Sequence, residues 1–157
     1  MEYRFTIEPG AVTLAELFPL YATHYREMKS RLASDGIEIS DFNPRIEEYV
    51  KGWNAGHILN YVVRADGGSA VGYSNIYLTN DMHNSELIAQ EDTIFLLKEH
   101  RNGVGRRFAK FILADLRSRG VKRVLVSAVT DLRVAKVWER MGFKHAAHSM
   151  IYTFEGC

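Results

Sequence analysis

The sequence predicts an α/β (α+β) protein with a mixed β-sheet and helices on its faces. Apolar runs and alternating patterns indicate strands, whereas apolar spacings of three and four residues indicate helices. These segments follow the order β-α-α-β-β-β-α-β-α-β. The middle strands are joined by a short glycine turn, and the later strands alternate with helices. This arrangement predicts antiparallel pairing followed by β-α-β units.

Length and composition indicate one globular domain over residues 1–157. The chain has 46% hydrophobic and 25% charged residues, the values of an ordinary soluble protein. No apolar run reaches the roughly 18 residues of a membrane span, and the N-terminus lacks a signal-peptide core. The one cysteine, Cys157, permits no internal disulfide and suits a reducing compartment. We therefore expect a cytoplasmic protein without a membrane partner.

The first half of the chain predicts two helices between strands. Thr13 has capping-box spacing to Glu16, so we expect a helix to begin there, with a kink or a restart at Pro19. Pro44 predicts the start of a short second helix that runs through Trp53. The predicted strands of this half are residues 3–8, 58–65 and 70–79, the last two joined by a turn at 66–68.

The second half predicts alternating strands and helices after a polar turn. Glycines at positions 120 and 142 are expected to end the two helices. The predicted elements are a turn at 80–90, a strand at 91–98, a helix at 104–119, a strand buried on both faces at 123–128, a helix at 131–141 and a last strand at 143–154.

The net charge of +1 conceals an uneven distribution. Residues 1–97 carry seven basic against fourteen acidic residues, whereas residues 98–123 carry nine basic against two acidic ones. The basic segment surrounds a glycine turn, Glu99-His-Arg-Asn-Gly-Val-Gly-Arg-Arg107, which precedes a predicted helix. Free amides at a helix N-terminus bind anions, and glycine lets the backbone approach them closely. The turn therefore predicts a pyrophosphate site.

Two segments resemble motifs of the GNAT superfamily of acetyl-CoA-dependent N-acetyltransferases. Residues 95–108, FLLKEHRNGVGRRF, resemble the strand, pyrophosphate loop and helix of that family. Residues 131–143, DLRVAKVWERMGF, resemble its N-x-x-A-x-x-x-Y-E-K-x-G-F helix. Either motif alone is weak, but both occur in the expected order and context. The resemblance implies a GNAT-like, mostly antiparallel sheet of about six to seven strands flanked by helices.

The resemblance also implies which residues bind acetyl-CoA, the expected co-substrate. In the family, the strand pairs with the pantetheine arm and the loop amides bind the pyrophosphate. Asp131 stands where the family often has asparagine, near the pantetheine arm. Transferred to this sequence, pantetheine contacts fall on Leu96 and Leu97, and phosphate contacts fall on His100, Arg101, Asn102, Gly103, Val104, Gly105 and Arg106.

Two positions depart from the family pattern. The loop usually reads R-x-x-G-x-G, but here His100 occupies the arginine position, and aligning Arg101 instead requires a shorter loop. Which of the two meets the pyrophosphate stays open. Trp138 replaces the tyrosine that many members use as general acid, and an indole does not titrate usefully. The proton would then come from Tyr152 or a water, or the thiolate would leave unassisted.

A general base is expected at the start of the strand before the glycine turn. Glu91 and Asp92 stand there, and only one of them can face the cleft because strand residues alternate. We favour Glu91, while two solvated carboxylates remain an equal alternative. The oxyanion donor would be a backbone amide near Leu96, where a bulge is expected. Aromatic residues that could line a substrate cleft are Tyr21, Tyr25, Trp53 and Tyr73.

The resulting expectation is an acyltransferase that moves acetyl from acetyl-CoA directly to a primary amine of a small molecule or peptide. The histidines show no metal-ligand spacing, and we expect no metal cofactor. Alternatives on the same fold are a catalytically silent acyl-CoA-binding or protein-interaction module and a nucleic-acid-modifying relative. The acidic first half argues against a nucleic-acid partner. The sequence identifies neither the acceptor nor the oligomeric state, and a homodimer stays open.

Overall fold

The computed structural model describes residues 1–155, so Cys157 lies outside the described residues. The chain divides into two compact units, one of residues 1–21 and 44–126 and the other of residues 22–43 and 127–157. We describe each unit by itself. Within the described residues, no helix combines the length and the apolar character that crossing a membrane requires.

The first unit contains a five-stranded sheet with strands in chain order. The first four strands pair antiparallel and the fifth pairs parallel to the fourth, so the mixed, mostly antiparallel sheet is confirmed. The expected count of six to seven strands is wrong for the described residues, which form five. The strands are β1 (Arg4–Ile7), β2 (Ile58–Arg64), β3 (Ala70–Asn80), β4 (Leu87–Leu96) and β5 (Arg123–Leu125).

The described residues also form four α-helices: α1 (Gly10–Ser34), α2 (Ile46–Ala55), α3 (Val104–Ser118) and, in the second unit, α4 (Val134–Arg140). The helix α1 begins before Thr13 and includes Pro19, where we expected a kink or a restart. Thr13 does not cap this helix. Its hydroxyl is buried inside the first turns and accepts a hydrogen bond of 3.0 Å from Asn60 Nδ2. Thr13 therefore lies within α1 and connects the helix to β2.

Apolar side chains on both faces of the sheet form the core of the first unit. On one face, α3 packs through Val104, Phe108, Ile112 and Leu116 against side chains of β2, β3 and β4. On the other face, Leu17 and Leu20 of α1 pack against Val62, Tyr73 and Phe95. Because strand residues alternate between faces, each position along β3 and β4 belongs to one side. This alternation places the site residues described below.

Two predicted boundaries differ around β4. The segment 80–90 is not mainly a turn, because β3 and β4 stay paired from Asn80–Leu87 onward. The connection is short and is held by Asp81, which accepts hydrogen bonds from the amide of His83 and from Arg123. The polar composition of this segment predicted a loop, but pairing between β3 and β4 satisfies its backbone hydrogen bonds equally well. The strand β4 therefore starts at Leu87 and ends at Leu96.

The C-terminal predictions differ more. The strand expected at 123–128, buried on both faces, is the short edge strand β5 with exposed Leu125. The helix expected from 131 starts at Val134, and residues 143–154 form no strand. Side chains there are solvated, since Tyr152 is 81% and Phe154 77% exposed. An apolar pattern predicts a strand only where a neighbouring strand accepts its hydrogen bonds.

Candidate active site

A β-bulge interrupts the pairing of β3 with β4. Thr93 lies opposite Asn75, but the next pair joins Glu91 to Ile76, which leaves Asp92 as the extra residue of β4. Bulges redirect side chains and are frequent beside active sites. The register shift lies at Asp92, whereas the sequence placed the bulge near Leu96. The shift turns Asp92 towards α2, on the face of the sheet that carries Tyr73 and Tyr77.

The carboxyl group of Asp92 is enclosed by phenols. The Tyr49 hydroxyl donates a hydrogen bond of 2.7 Å to Asp92 Oδ2, and the Tyr77 hydroxyl interacts with the same carboxyl. Burial raises the pKa of Asp92 above its usual range, and the two phenols offset part of that rise. Burial and the neighbouring Asp92 charge raise the pKa of Tyr49, so this phenol stays protonated as a donor.

Aromatic rings surround this carboxyl. The Tyr49 and Trp53 rings lie 5.6 Å apart, and Trp53 Nε1 donates a 3.0 Å hydrogen bond to Asn75 Oδ1. Tyr21 meets Tyr73 edge to face at 4.5 Å, and burial raises the pKa of the Tyr21 hydroxyl to about 12. We call the following group the acceptor cluster: Tyr21, Tyr49, Trp53, Tyr73, Asn75, Tyr77 and Asp92.

The sequence identified only part of this cluster. Tyr21, Trp53 and Tyr73 were proposed as cleft residues and do lie here, whereas Tyr25 lies in the second unit, where its ring packs on Phe42. Tyr49 and Tyr77 were missed. A signal was present for Tyr77, because it alternates with Tyr73 and Asn75 along one face of β3.

Glu91 has a different environment from Asp92. It pairs with Ile76, which belongs to the core under α3 together with Ala89. Directly opposed residues of antiparallel strands share a face of the sheet. Glu91 thus belongs to the face of the sheet that α3 covers, and Asp92 belongs to the face that carries the acceptor cluster. The pairing therefore assigns the two adjacent residues to opposite faces of the sheet.

The glycine turn starts where β4 ends. The Leu97 amide still donates to the Val71 carbonyl at 2.9 Å, and a 3₁₀ turn then spans Lys98–His100. Gly103 has φ +76°, a left-handed conformation that favours glycine, and α3 begins at the next residue. The helical ladder opens with Arg107 donating to Gly103, so the preceding amides of the first turn have no intrahelical acceptor.

Gly105 lies in the first turn of α3, where packing does not exclude a side chain. A Cβ at this position would meet only Leu96 Cδ1, at an ordinary contact distance of 3.5 Å. Packing therefore permits alanine, which a helix prefers by about 1 kcal/mol. The glycine keeps the helix N-terminus uncovered. Uncovered amides at a helix N-terminus are groups that bind anions, and Arg106 is exposed in the same turn.

His100 and Arg101, the two alternatives for phosphate contact, each have an internal partner. Arg101 Nε donates to the Leu96 carbonyl at 2.7 Å, and its guanidinium lies over the Phe95 ring at 5.4 Å. His100 Nδ1 lies 2.9 Å from the Tyr3 hydroxyl, so the ring is anchored on its Nδ1 side. The choice between them stays open, and Arg106, in the first turn of α3, is exposed.

The remaining predicted site residues lie in the second unit. Asp131 accepts hydrogen bonds from the Arg133 side chain and from its amide. Trp138 is 8% exposed and packs on Phe143, and its indole nitrogen has no hydrogen-bond acceptor among residues 1–155. Tyr152 is largely exposed beside Phe154. Within the described part of the chain, no three His, Cys, Asp or Glu side chains group as metal ligands do.

A mixed sheet with a bulged fourth strand, a glycine turn and a following helix defines the class of acyl-CoA-dependent acyltransferases. Comparison with known sequences agrees, because the "Acetyltransferase (GNAT) family" pattern matches residues 17–143. The chain belongs to this family and is an acetyltransferase-type enzyme. Members of the family generally take the acetyl group from acetyl-CoA. A search of curated proteins found no match.

Solved structures share the fold at low sequence identity. A ribosomal-protein-alanine N-acetyltransferase from Brucella melitensis biovar Abortus 2308 is similar with TM-score 0.76 and 14% identity, covering 99% of this chain and 100% of that one. An aminoglycoside acetyltransferase, HMB0005, from an uncultured soil metagenomic sample has TM-score 0.72 and 16% identity, with coverage of 99% and 100%. Glucosamine-6-phosphate N-acetyltransferase from Arabidopsis thaliana has TM-score 0.63 and 10% identity, with the same coverage. At these identities the likeness concerns the fold alone.

Proposed function

We propose that this protein transfers an acetyl group from acetyl-CoA directly to a primary amine of a small molecule or peptide, with Asp92 as the general base. The observation that carries the proposal is the position of Asp92. It is the bulged residue of the strand that leads into the glycine turn. From Asp92 to Leu96 the strand extends roughly 13 Å, room for an extended arm beside it.

The residues around the turn would hold the co-substrate. The first-turn amides of α3 would donate to the pyrophosphate, and Gly105 places no side chain over them. Leu96 and Leu97 border the strand edge where the pantetheine arm would lie, with His100, Arg101, Asn102 and Arg106 as phosphate contacts. Asp131 is proposed near the arm by resemblance only. Acetyl-CoA supplies the activated acetyl thioester.

Asp92 is suited to deprotonate an ammonium group. Burial raises its pKa, so its ionised form is a stronger base than a solvated carboxylate. A proton passes from the ammonium to Asp92, the amine nitrogen forms the new bond to the acetyl carbon, and the carbon–sulfur bond breaks. A proton from the attacking nitrogen completes the thiol, and Asp92 returns its own proton to water. This balance requires no tyrosine at position 138, and Tyr152 is a candidate donor that the scheme does not need.

Binding and turnover test the proposal separately. Calorimetry with acetyl-CoA should show binding, and thiol release should appear only when a primary amine is added. The acceptor panel should include aminoglycosides, amino sugars and peptides with free N-termini or lysines. Absence of acetyl-CoA binding at millimolar concentration would refute the proposal. Binding without thiol release for any amine would favour the silent acyl-CoA-binding module, to which the exchange of tyrosine for Trp138 also points.

A further inference from the structure

We propose that the acceptor is a single primary ammonium on an aromatic or apolar stem, without a carboxylate next to the amine, bound between Asp92 and the rings of Tyr49, Trp53 and Tyr77. This inference rests on the proposed acetyl transfer and names the acceptor of the same site. It follows from three properties of the acceptor cluster: its charges, its aromatic rings and its rigidity.

The acceptor cluster holds one acid and no cation. Asp92 is its sole charged member, and its carboxyl already accepts from the Tyr49 phenol. The nearby carboxylate of Glu48, next to Tyr49 on α2, pairs with Arg45 and Lys51. One carboxylate offers a counter-charge to one ammonium group. A polyamine would bring further cations into a cluster that cannot pair them, and this costs desolvation free energy.

An acceptor with a carboxylate beside its amine is disfavoured because no cation belongs to the acceptor cluster. Free amino acids carry such a group, and binding them requires a cation or several amide donors close to the ammonium site. The members of the cluster offer phenols, an indole and the Asn75 amide, and Asp92 would repel the carboxylate. The cluster therefore selects the amine over the corresponding amino acid.

The aromatic rings can attract both the ammonium group and the apolar stem of such an amine. An ammonium group is attracted to aromatic faces, and an apolar stem gains from burial against them. The Tyr77 hydroxyl interacts with Asp92, and the residue is 36% exposed, so a ligand can reach it. Tyr49 lies on α2, where its hydroxyl donates to Asp92 and its ring lies beside that of Trp53.

Trp53 is fixed before any ligand binds. Its nitrogen is bonded to Asn75, and its ring packs so tightly on Gly10 that a Cβ there would lie 2.1 Å from Trp53 Cδ2. A wall held in this way loses little side-chain entropy on binding. The cluster is thus preorganised for a flat or narrow stem and adapts poorly to a bulky, hydrated one.

Acetylation of three matched amines tests the inference. The probes are 2-phenylethylamine, phenylalanine, which adds only the carboxylate, and spermidine, which adds cations. We expect kcat/KM for 2-phenylethylamine to exceed that for each of the others at least tenfold. A preference for phenylalanine or spermidine overturns the proposal. If no amine is acetylated, the proposed function fails, and calorimetric binding of the same three amines then decides this inference in the same way.

Variants of Tyr77 separate ring from hydroxyl. Tyr77→Phe should keep the preference, whereas Tyr77→Leu should raise KM for 2-phenylethylamine at least fivefold and leave the affinity for acetyl-CoA unchanged. An equal change of KM for all three amines contradicts an aromatic recognition site. Tyr49→Leu, compared with Tyr49→Phe, is the second pair in case Tyr77→Leu does not fold, as judged by circular dichroism.

Discussion

The strand β4 passes through two contrasting environments, one at its bulge and one beyond its last residue. At its bulge, Asp92 is half-buried and hydrogen-bonded to Tyr49, and burial raises its pKa. Beyond Leu96, the same strand opens into a turn whose glycines and arginines face water. The surroundings of a buried group can shift its pKa and thereby its reactivity, whereas an exposed turn can bind anions through backbone amides and cationic side chains. We therefore propose chemistry at the bulge within β4 and anion binding at the turn that follows the strand.

If this contrast is correct, removing the carboxylate at the bulge should abolish turnover without affecting the turn. Asp92→Asn keeps the shape and still accepts from Tyr49, but it cannot take a proton. We expect kcat/KM for the amine to fall by about 10²- to 10⁴-fold, the usual contribution of a general base. Thiol-release kinetics would measure the fall, and calorimetry should show unchanged acetyl-CoA affinity.

The neighbouring carboxylate is the control for that variant. Glu91→Gln changes the acid that pairs with Ile76 on the α3 side, so we expect close to full activity. The sequence alone favoured Glu91 as base, which predicts that Glu91→Gln slows the reaction mainly below about pH 8, where the amine is mostly protonated. A larger loss for Glu91→Gln than for Asp92→Asn would therefore reverse the assignment.

Changes in the turn that follows β4 should alter the affinity for acetyl-CoA instead of the turnover. Gly105→Ala fits the packing, since its nearest neighbour is Leu96 at 3.5 Å, and it favours the helix. The methyl group would nevertheless stand where a phosphate approaches the first-turn amides. We expect acetyl-CoA affinity to weaken about tenfold or more, equivalent to about 1.4 kcal/mol, while the melting temperature stays equal or rises.

Gly103→Ala provides the contrast within the same turn. At φ +76° an alanine is strained by about 1–2 kcal/mol, so this variant should lose stability as well as affinity. Thermal unfolding and calorimetry of both variants separate the two effects. Undiminished affinity in Gly105→Ala would remove the first turn of α3 from the phosphate site.

The sequence predicts the glycine turn and helix α3, but it does not predict the register of β4 at the bulge, and the reason is physical. The strand, Gly103, Gly105 and the stripe of α3 are contiguous, so local patterns predict them. The surroundings of Asp92 come from three elements, and a single extra residue in β4 decides which of two adjacent carboxylates faces Tyr49. Period-two alternation identifies two opposite faces but not the register that connects them to α2.

A smaller effect is expected from the side chain that anchors His100. If the Tyr3 hydroxyl donates to Nδ1, a neutral His100 carries its proton on Nε2, ready to donate to a phosphate oxygen. Tyr3→Phe removes that anchor, and we expect acetyl-CoA affinity to weaken about two- to fivefold, the scale of one hydrogen bond. The effect should disappear in a His100→Ala background. Additive losses in calorimetry would mean that Tyr3 acts independently of His100.

The raised pKa of Asp92 also has a cost in stability. Because its folded pKa lies above the usual 3.8, the folded state binds more protons than the unfolded state between the two values. Stability should therefore fall as pH rises through that interval and stay lower above it. Asp92→Asn lacks this cost, so we expect its melting temperature to exceed that of the unmodified protein by a few degrees at neutral pH, with the difference vanishing below about pH 4.

A carboxylate outside the site should show the reverse sign. Hydrogen bonds from Arg64 lower the pKa of Glu8, so its contribution is present above the ordinary pKa of 4.5 and is lost in acid. Glu8→Gln should therefore be less stable than the unmodified protein at neutral pH and equal to it at low pH. Melting curves of both variants from pH 3 to 8 test the pair. If Asp92→Asn behaves like Glu8→Gln, then Asp92 is a structural ion and the contrast between the bulge of β4 and the turn after it is wrong.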